Sequence, residues 1–549
     1  MTDKMRHAHL LVVTSGLFIA AAVIGATGCD HVVDDCTVAH TCPSTASAGG
    51  AGGGAGTGGN DAGAGGAGAS ITCDPTLSSN FNGVDVSCGV YVWINTIALP
   101  YLGTPKHPYN TLAAALTDVA GRTDPKLKNV YACNDGTFTE PVVLSGDVTI
   151  WGGLDCKDQN WSYDANARTK LTAGTGAIPL TVSATVDVNV HDLAITAAPA
   201  TPSSGSSIAV LVDSATATFT HCDLSAGDAK DGAPGVHGGV PALPAASGKK
   251  GDDAGTKNAS GGSGGTNTCD TNDPGVPAAL AGGTGGGGGS VIGGGGGNGG
   301  PGDGGLGGLG GDGGNSLLCS VGHDGTGSTT PIDGLAGLGI GNINASGYHG
   351  TDGTDGINGA NGTSGGGGGG SKASMTAGAA GGGGGAGGCG GKLGTKGEAG
   401  GSSIALMGLE ATVTMDACTL SAGKGGNGGA GGDGQSGQQG GNGGIGGMGS
   451  APSSVLQGCD AGKGGKGGGG GNGGGGSGGH SLGIAMTGGM LIHTMPLSAF
   501  QPSVNGDGGL GGNLNVSGNK GTKGLSIWCW DFDATQDGKA CTLSNKPPQ

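Results

Sequence analysis

The chain is poor in the residues that build ordinary cores and ordinary binding faces. Aromatic residues make up 3% and charged residues 11% of its 549 positions. Only three arginines occur (Arg6, Arg122, Arg168), and the formal net charge is −17. A nucleic-acid binder needs a basic stripe to neutralise phosphates, so that class is excluded. The 15 cysteines contain no C-x-x-C pair and no histidine cluster accompanies them, which argues against zinc. No G-x-S-x-G elbow joins a strand to a helix. G-x-G-x-x-G recurs so often that it carries no information about nucleotides.

What the chain has in excess is glycine: 139 residues, roughly a quarter of the total against a usual ~7%. One large core does not fit that composition. A long, thin fold with small side chains does.

Lys4 and Arg6 precede an apolar run from Leu10 to Ala26 that ends in small residues, the pattern of a secretory signal. "ATGC" (Ala26–Cys29) resembles the lipobox of bacterial lipoproteins, with Ala26 where leucine is usual. That resemblance implies a signal peptide over 1–28, lipidation of Cys29 and a membrane partner reached through the lipid; the long low-complexity arms, which suit an extracellular face, point to the outer membrane or cell surface. Acyl chains anchor stably because each buried methylene contributes about 0.8 kcal/mol. Residues 29–72 are a Gly/Ala-rich tether whose root-mean-square reach is about 35 Å if flexible. Removing Cys29 leaves 14 cysteines, an even number suited to an exported, disulfide-bonded protein.

Residues 84–200 hold most strand patterns, among them "NVYAC" (Asn129–Cys133) and "PVVLSGDVTIWGG" (Pro141–Gly153). One amphipathic helix is expected over 110–120, with Asn110 as cap and Leu112, Leu116 and Val119 at helical spacing. "GTPKHPYNTLAAAL…NVYACNDGTFTEPVVLSGDVTIWGG" resembles the opening of right-handed parallel β-helices of the pectin-lyase-like superfamily. The resemblance implies an all-β coil with an N-terminal capping helix; because this fold carries unrelated functions, it implies no activity.

"SSIAVLVDSATATFTHCDLSAG" (Ser206–Gly227) returns 196 residues later as "SSIALMGLEATVTMDACTLSAG" (Ser402–Gly423), with 12 of 22 positions identical. Two stacked turns of a coil explain this, the intervening chain leaving and re-entering at one corner. "LTVSATVDVNVHDL" (Leu180–Leu193) aligns with Leu211–Leu224 at an offset of 31, and "LSA" recurs at Leu497–Ala499, 77 beyond Leu420. The organisation is then coil over 73–227, glycine-rich insertion over 228–401, one turn over 402–423, a second insertion over 424–479, and a final turn with cap over 480–549.

Within the insertions glycine has period three, as from Gly425 to Gly449, which matches a threefold polyproline-II-type helix. Packed polyglycine-II bundles and flexible loops both fit this composition. The composition is similar to the glycine-rich PGRS repeats, without the helical domain that precedes them. Collagen is disfavoured because "GTDGTDGINGANG" (Gly350–Gly362) lacks proline. Gly307–Asp312 and Gly428–Asp433 match only the first six places of a calcium-binding nonapeptide, so no metal or other cofactor is expected.

The strongest catalytic candidate stacks Asp192 on Asp223 about 5 Å apart, with His191 and His221 nearby. Thr419 breaks the ladder and no arginine is expected near it, so a turn residue satisfying backbone amides is the simpler reading. A sugar groove would also need exposed aromatics, and the repeated turns after residue 200 contain almost none. Trp93, Trp151 and Trp161 are read as core. The expected function is therefore a non-enzymatic structural or adhesion-like lipoprotein contacting extracellular glycans or other surface proteins. The alternative is a polysaccharide lyase or glycoside hydrolase.

The expected disulfides are Cys133–Cys156, joining equivalent ends of adjacent turns, and Cys222–Cys418, stacked in the two copies, where a pair of free thiols is the other outcome. Proximity and parity add Cys269–Cys319, Cys389–Cys459, Cys36–Cys42, Cys73–Cys88 and Cys529–Cys541.

Overall fold

The computed structural model describes residues 73–541 except 78–86, 98, 158–160, 241, 256–258, 270–279, 291, 303–304, 315–317, 329, 374–375, 451–454, 494–499, 502, 514–518 and 534–537. Cys29, the signal segment, the tether, Cys36, Cys42 and Leu497–Ala499 lie outside the described residues.

The described chain is mostly β, with one α-helix and three large parallel sheets. From Asn129 the chain visits the sheets in rotation. Asn129–Cys133 lies in sheet A, Thr137–Phe138 in sheet B and Val142–Leu144 in sheet C; Val148–Asp155 then returns to sheet A. Each strand pairs in parallel with its counterpart one turn later, as in Leu193–Thr196 against Asp223–Ala226. The two 22-residue copies are neighbours at the expected offset of 196: Ile208 pairs with Ile404, Phe219 with Met415 and Leu224 with Leu420.

The shorter offsets differ from the sequence alignment. Val188 pairs with Ala217 and Ile195 with Leu224, an offset of 29 rather than 31. A slip of two preserves the inward–outward alternation, so identity matching cannot detect it. In sheet C, Leu180 pairs with Val210 rather than Leu211, an odd slip that changes faces. Val210 accordingly belongs to the interior, while Leu211 packs outside against Ile343 and Tyr348. Likewise Phe500, not Leu497, stands on Leu420, an offset of 80 rather than 77.

From Asp187 on, sheet A buries alternate residues, as in Asp187–His191 and Thr216–Thr220, and sheet B does so in Asp223–Ala226, whereas the first strands of sheet A, such as Asn129–Cys133, are buried throughout. In sheet C the three central strands Ser207–Asp213, Ser403–Leu409 and Ser481–Thr487 are buried almost without interruption. Continuous apolar strands mean both faces are covered. The outer cover of sheet C includes the antiparallel hairpin of Asn342–Asn344 and Gly347–His349, which lies inside the first insertion. The single helix, Leu112–Ala120, is capped by Thr111 rather than Asn110, the hydroxyl accepting from Ala114 N–H at 3.2 Å. Asn110 is too early to reach the free amides of the first turn, and Glu140 accepts from Leu112 N–H at 2.7 Å.

The described residues of the insertions form a regular hydrogen-bonded lattice. Ten successive amides from Gly362 to Ser371 donate in rotation to three neighbouring segments. The acceptors are Gly388, Gly385, Gly382 and Ala379 on one, Thr326, His323 and Ser320 on the second, and Gly300, Gly297 and Gly294 on the third. Each series falls by three, so these neighbours run antiparallel with three residues per turn. Three further segments donate into the same stretch, for example Gly462 to Gly366, Gly308 to Ser364 and Gly283 to Gly365. Six flanking segments leave no room for side chains: a Cβ on Gly366 would stand 2.1 Å from the Leu309 oxygen and one on Gly367 2.0 Å from that of Thr284.

Glycine spacing therefore counts covered sides. The surrounded stretch Gly365–Gly370 is all glycine, whereas residues 425–449 carry glycine mostly at two places in three, with Asn427, Asp433 and Gln439 facing solvent. The rhythm of "GTDGTDGINGANG" has a related cause. Asp352, Asp355, Asn358 and Asn361 accept from the amides of Ala399, Lys396, Leu393 and Gly390, one per turn down an antiparallel neighbour.

A third glycine-rich arm, not expected from sequence, leaves after Phe500–Gln501 of sheet B and returns at Ser526 of sheet C. Its amides enter the same lattice: Gly506 and Gly509 donate to Gly479 and Gly476. All three insertions thus span the same corner. Ordering each residue costs about 1–2 kcal/mol of backbone entropy. One net hydrogen bond of about 1 kcal/mol and Cα–H···O contacts of about 0.5–1 kcal/mol roughly offset it.

Because that balance is close, intrusion at the lattice centre should be decisive. Gly366→Ala is expected to lower stability by about 1–3 kcal/mol or more. Gly469→Ala, whose Cβ would meet nothing nearer than 3.8 Å, should leave the melting temperature unchanged. Equal melting temperatures for the two variants would refute this lattice.

Candidate functional site

The corner between sheets A and B holds the residues that sequence reasoning singled out. Asp192, His221 and Ala417 occupy it in successive turns, all left-handed, with φ of 56°, 53° and 48°. Asp223 is elsewhere, beside Ala194 and Thr419. The carboxylate pair expected from an offset of 31 therefore does not form; the true offset of 29 places His221 next to Asp192. Asp223 instead accepts from Thr419 Oγ1, and Ser421 and Ser225 bond at 2.9 Å.

Asp192 is 1% exposed. Tyr163 Oη donates to Oδ2 at 2.9 Å, and the Arg168 guanidinium lies 3.1 Å from Oδ1. Arg168 is the arginine that sequence distance concealed. It arrives from the preceding turn, beside Thr169, whose amide donates to Asp192 O at 2.9 Å. Burial raises the Asp192 pKa, opposed by the Tyr163 hydrogen bond and the Arg168 charge. His221 is half-exposed with Nδ1 3.8 Å from Asp192 Oδ1, too long for a hydrogen bond. His191 stacks on Trp151 with ring centroids 4.0 Å apart, and burial lowers its pKa to about 4. The carboxylate is engaged by a phenol and a guanidinium from its own chain. Chemically this is a cross-brace between turns. Trp151 and Trp161 are buried among Tyr91, Tyr131 and Leu154, and Trp93 packs against them.

A second polar place is an open depression of about 350 Å³ at the corner between sheets C and A, lined by Asp147, Asp187, Glu410, Ser214, Thr216 and Thr412. Asp147 accepts from Asp187 N–H at 2.8 Å, so Asp187 and Glu410 are the less engaged carboxylates. Among the described residues no cluster of three or more metal-ligating side chains occurs. In Gly428–Asp433, Asp433 accepts from the Asn513 amide and lies 3.3 Å from His237.

Five disulfides form among the described residues. Cys73–Cys88, Cys133–Cys156 and Cys529–Cys541 pair as expected. The glycine arms pair differently: Cys269 with Cys389 and Cys319 with Cys459, not Cys269 with Cys319 or Cys389 with Cys459. In a bundle of antiparallel segments the nearest cysteine in sequence is not the nearest in space. Their sequence separations of 120 and 140 residues imply about 4–5 kcal/mol each in the loop-entropy model. Cys222 and Cys418 are free, buried thiols, not a disulfide. They stack directly, Cys222 N–H donating to Cys418 Sγ at 3.3 Å.

No protein-family model matches the chain, and neither the curated proteins nor the solved structures contain a significant match.

The thiols provide a direct check. Alkylation of the native protein should leave Cys222 and Cys418 unmodified, and denaturation without reductant should expose both. Non-reducing peptide maps should recover Cys269–Cys389 and Cys319–Cys459; a Cys222–Cys418 peptide would contradict the arrangement.

Proposed function

We propose that the chain is an exported lipoprotein acting as a rigid, non-enzymatic structural or adhesion-like element at the cell surface. Rotation of the chain through three parallel sheets supports a right-handed parallel β-helix, and the threefold hydrogen-bond rotation supports polyglycine-II packing of its arms. Five disulfides point to a non-cytoplasmic compartment. Among the described residues no helix is long and apolar enough to cross a membrane. Attachment is assigned to lipidated Cys29, with residues 29–72 as spacer.

The observation that carries the reading is the consumption of the polar corner. Asp192 is held by Tyr163 and Arg168, away from solvent. Meanwhile the three insertions present long rows of outward side chains, including Val236, Leu243, Leu335 and Ile445. Extracellular glycans or other surface proteins are the partners this exposed surface would meet.

A carbohydrate-active enzyme is the second reading, favoured by the depression that holds Asp187 and Glu410. Incubation with a polysaccharide panel separates the two. Binding without product supports the first reading; product formation lost in Asp187→Asn or Glu410→Gln supports the second.

Anchoring has its own test. Cys29→Ala should move the protein from the detergent phase to the soluble fraction, and intact protein should carry an acylated N-terminal cysteine. Membrane retention of the variant with its signal cleaved would rule out lipid anchoring.

A further inference from the structure

Where the arms return to sheet C, one residue at the end of the second arm bonds to the other two. His480 closes the second insertion and is 0% exposed. Its backbone N–H donates to Ser402 Oγ at 2.8 Å, at the end of the first insertion. Leu525 N–H, at the end of the third, donates to its Nδ1 at 2.8 Å. Its Nε2 lies 2.7 Å from the carbonyl oxygen of Ile340, which precedes the hairpin. Nδ1 accepts and a carbonyl can only accept, so the partners assign the neutral Nε2–H tautomer. Tyr348 meets the ring edge-on at 5.0 Å, and Phe532 lies at 5.8 Å.

We propose that His480 is an acid-sensitive latch whose protonation from solvent frees the third arm and the Asn342–His349 hairpin from sheet C. The protonated ring carries two donors, and its Nδ1–H would face the Leu525 N–H across 2.8 Å. Among the described residues, no carboxylate is hydrogen-bonded or ion-paired with the ring. On the hairpin, Tyr348 touches the ring and burial keeps its phenol protonated, while exposed His349 bonds Ser346 and Asn344. On the third arm Lys523 pairs with Asp507; after it, Asp531 accepts from the Asp533 amide. In the first insertion Asp352 pairs with Lys396.

Burial lowers the His480 pKa from 6.5 to about 4. An opened ring takes up its proton near pH 6.5 and a closed one only near pH 4, so the open state binds more protons between them. The latch is therefore fully held above pH 6.5 and weakens progressively as the pH falls to about 4. Linkage across that window raises the opening constant roughly 80-fold at pH 4.5.

Hydrogen exchange of the full chain at pH 7.5 and 4.5, corrected for intrinsic rates, tests the latch. Residues 340–349 and 521–525 should exchange roughly 80-fold faster at the lower pH. The lattice centre, 362–371, and the sheet B strand Asp223–Ala226 should not change. His480→Asn keeps an acceptor near Leu525 and cannot titrate, so it should abolish the pH dependence of both segments. If that variant does not fold, the ring of wild-type His480 can be titrated by NMR. Uniform acceleration everywhere, a constant rate at 521–525, pH dependence that survives in His480→Asn, or an ordinary titration near pH 6.5 would each overturn the proposal.

Discussion

The structure depends on how closely two backbones can approach when no Cβ stands between them. A Cβ on Gly464 would lie 1.8 Å from the Ala386 oxygen, and one on Gly288 1.7 Å from that of Gly378. Any other residue at such positions would push the segments apart by more than a hydrogen bond tolerates. The lattice thus exchanges side-chain burial, the usual driving force, for a dense network of amide bonds. That exchange explains how a chain with so few aromatics forms a large ordered body. It also explains the long-range disulfides, since amide bonds alone only roughly offset the entropy of ordering glycine.

The coil and the bundle need each other for different reasons. Stacked turns fix where each arm begins. Ser403 stacks on Ser207 and Ser481 on Ser403, so successive arms return in register one strand spacing apart. The outgoing ends are matched too: Asp228 accepts from the Lys424 amide at 2.7 Å and Asn427 from that of Asp507 at 2.9 Å. In return, the first insertion covers the outer face of sheet C, where Leu211, Met407 and Leu482 would otherwise meet water. His480 sits on this seam, which is why its ring is dry and its nitrogens are held by two different arms.

The 196-residue repeat was legible because both copies fill the same slot, and its register holds for every matched pair. The order of the insertions was not legible. Glycine spacing supplies the period of a threefold helix, but the same spacing suits a flexible chain. The discriminating signal is the variation in glycine per triplet, from the solid run Gly365–Gly370 to the sparse glycines after Asp231, because it maps central and peripheral positions. The third arm carried that signal too, in "GDGGLGGN" (Gly506–Asn513). The catalytic candidate failed for a different reason. A slip of two residues leaves every alternation intact while exchanging the neighbour of Asp192 from Asp223 to His221. Arg168 was invisible because it approaches from an adjacent turn, 24 residues earlier in sequence.

A lattice of this kind separates the residues that fold the protein from those that face its surroundings. At the periphery, glycine takes the inward places of each triplet and the outward place is left unspecified by packing. In residues 425–449 that outward place holds Asn427, Asp433, Gln439, Asn442, Ile445 and Met448, a series with no common chemistry. Some outward residues have local duties, as when Asp324 accepts from the Lys463 amide at 2.7 Å. Others, such as Leu243 and Leu306, are more than four-fifths exposed. In a conventional core, changing one side chain disturbs its neighbours. Here the outward residues that accept no such bond can change without touching the amide network, so surface chemistry can vary at those places while the scaffold stays fixed. That independence is what the contact role proposed above would require.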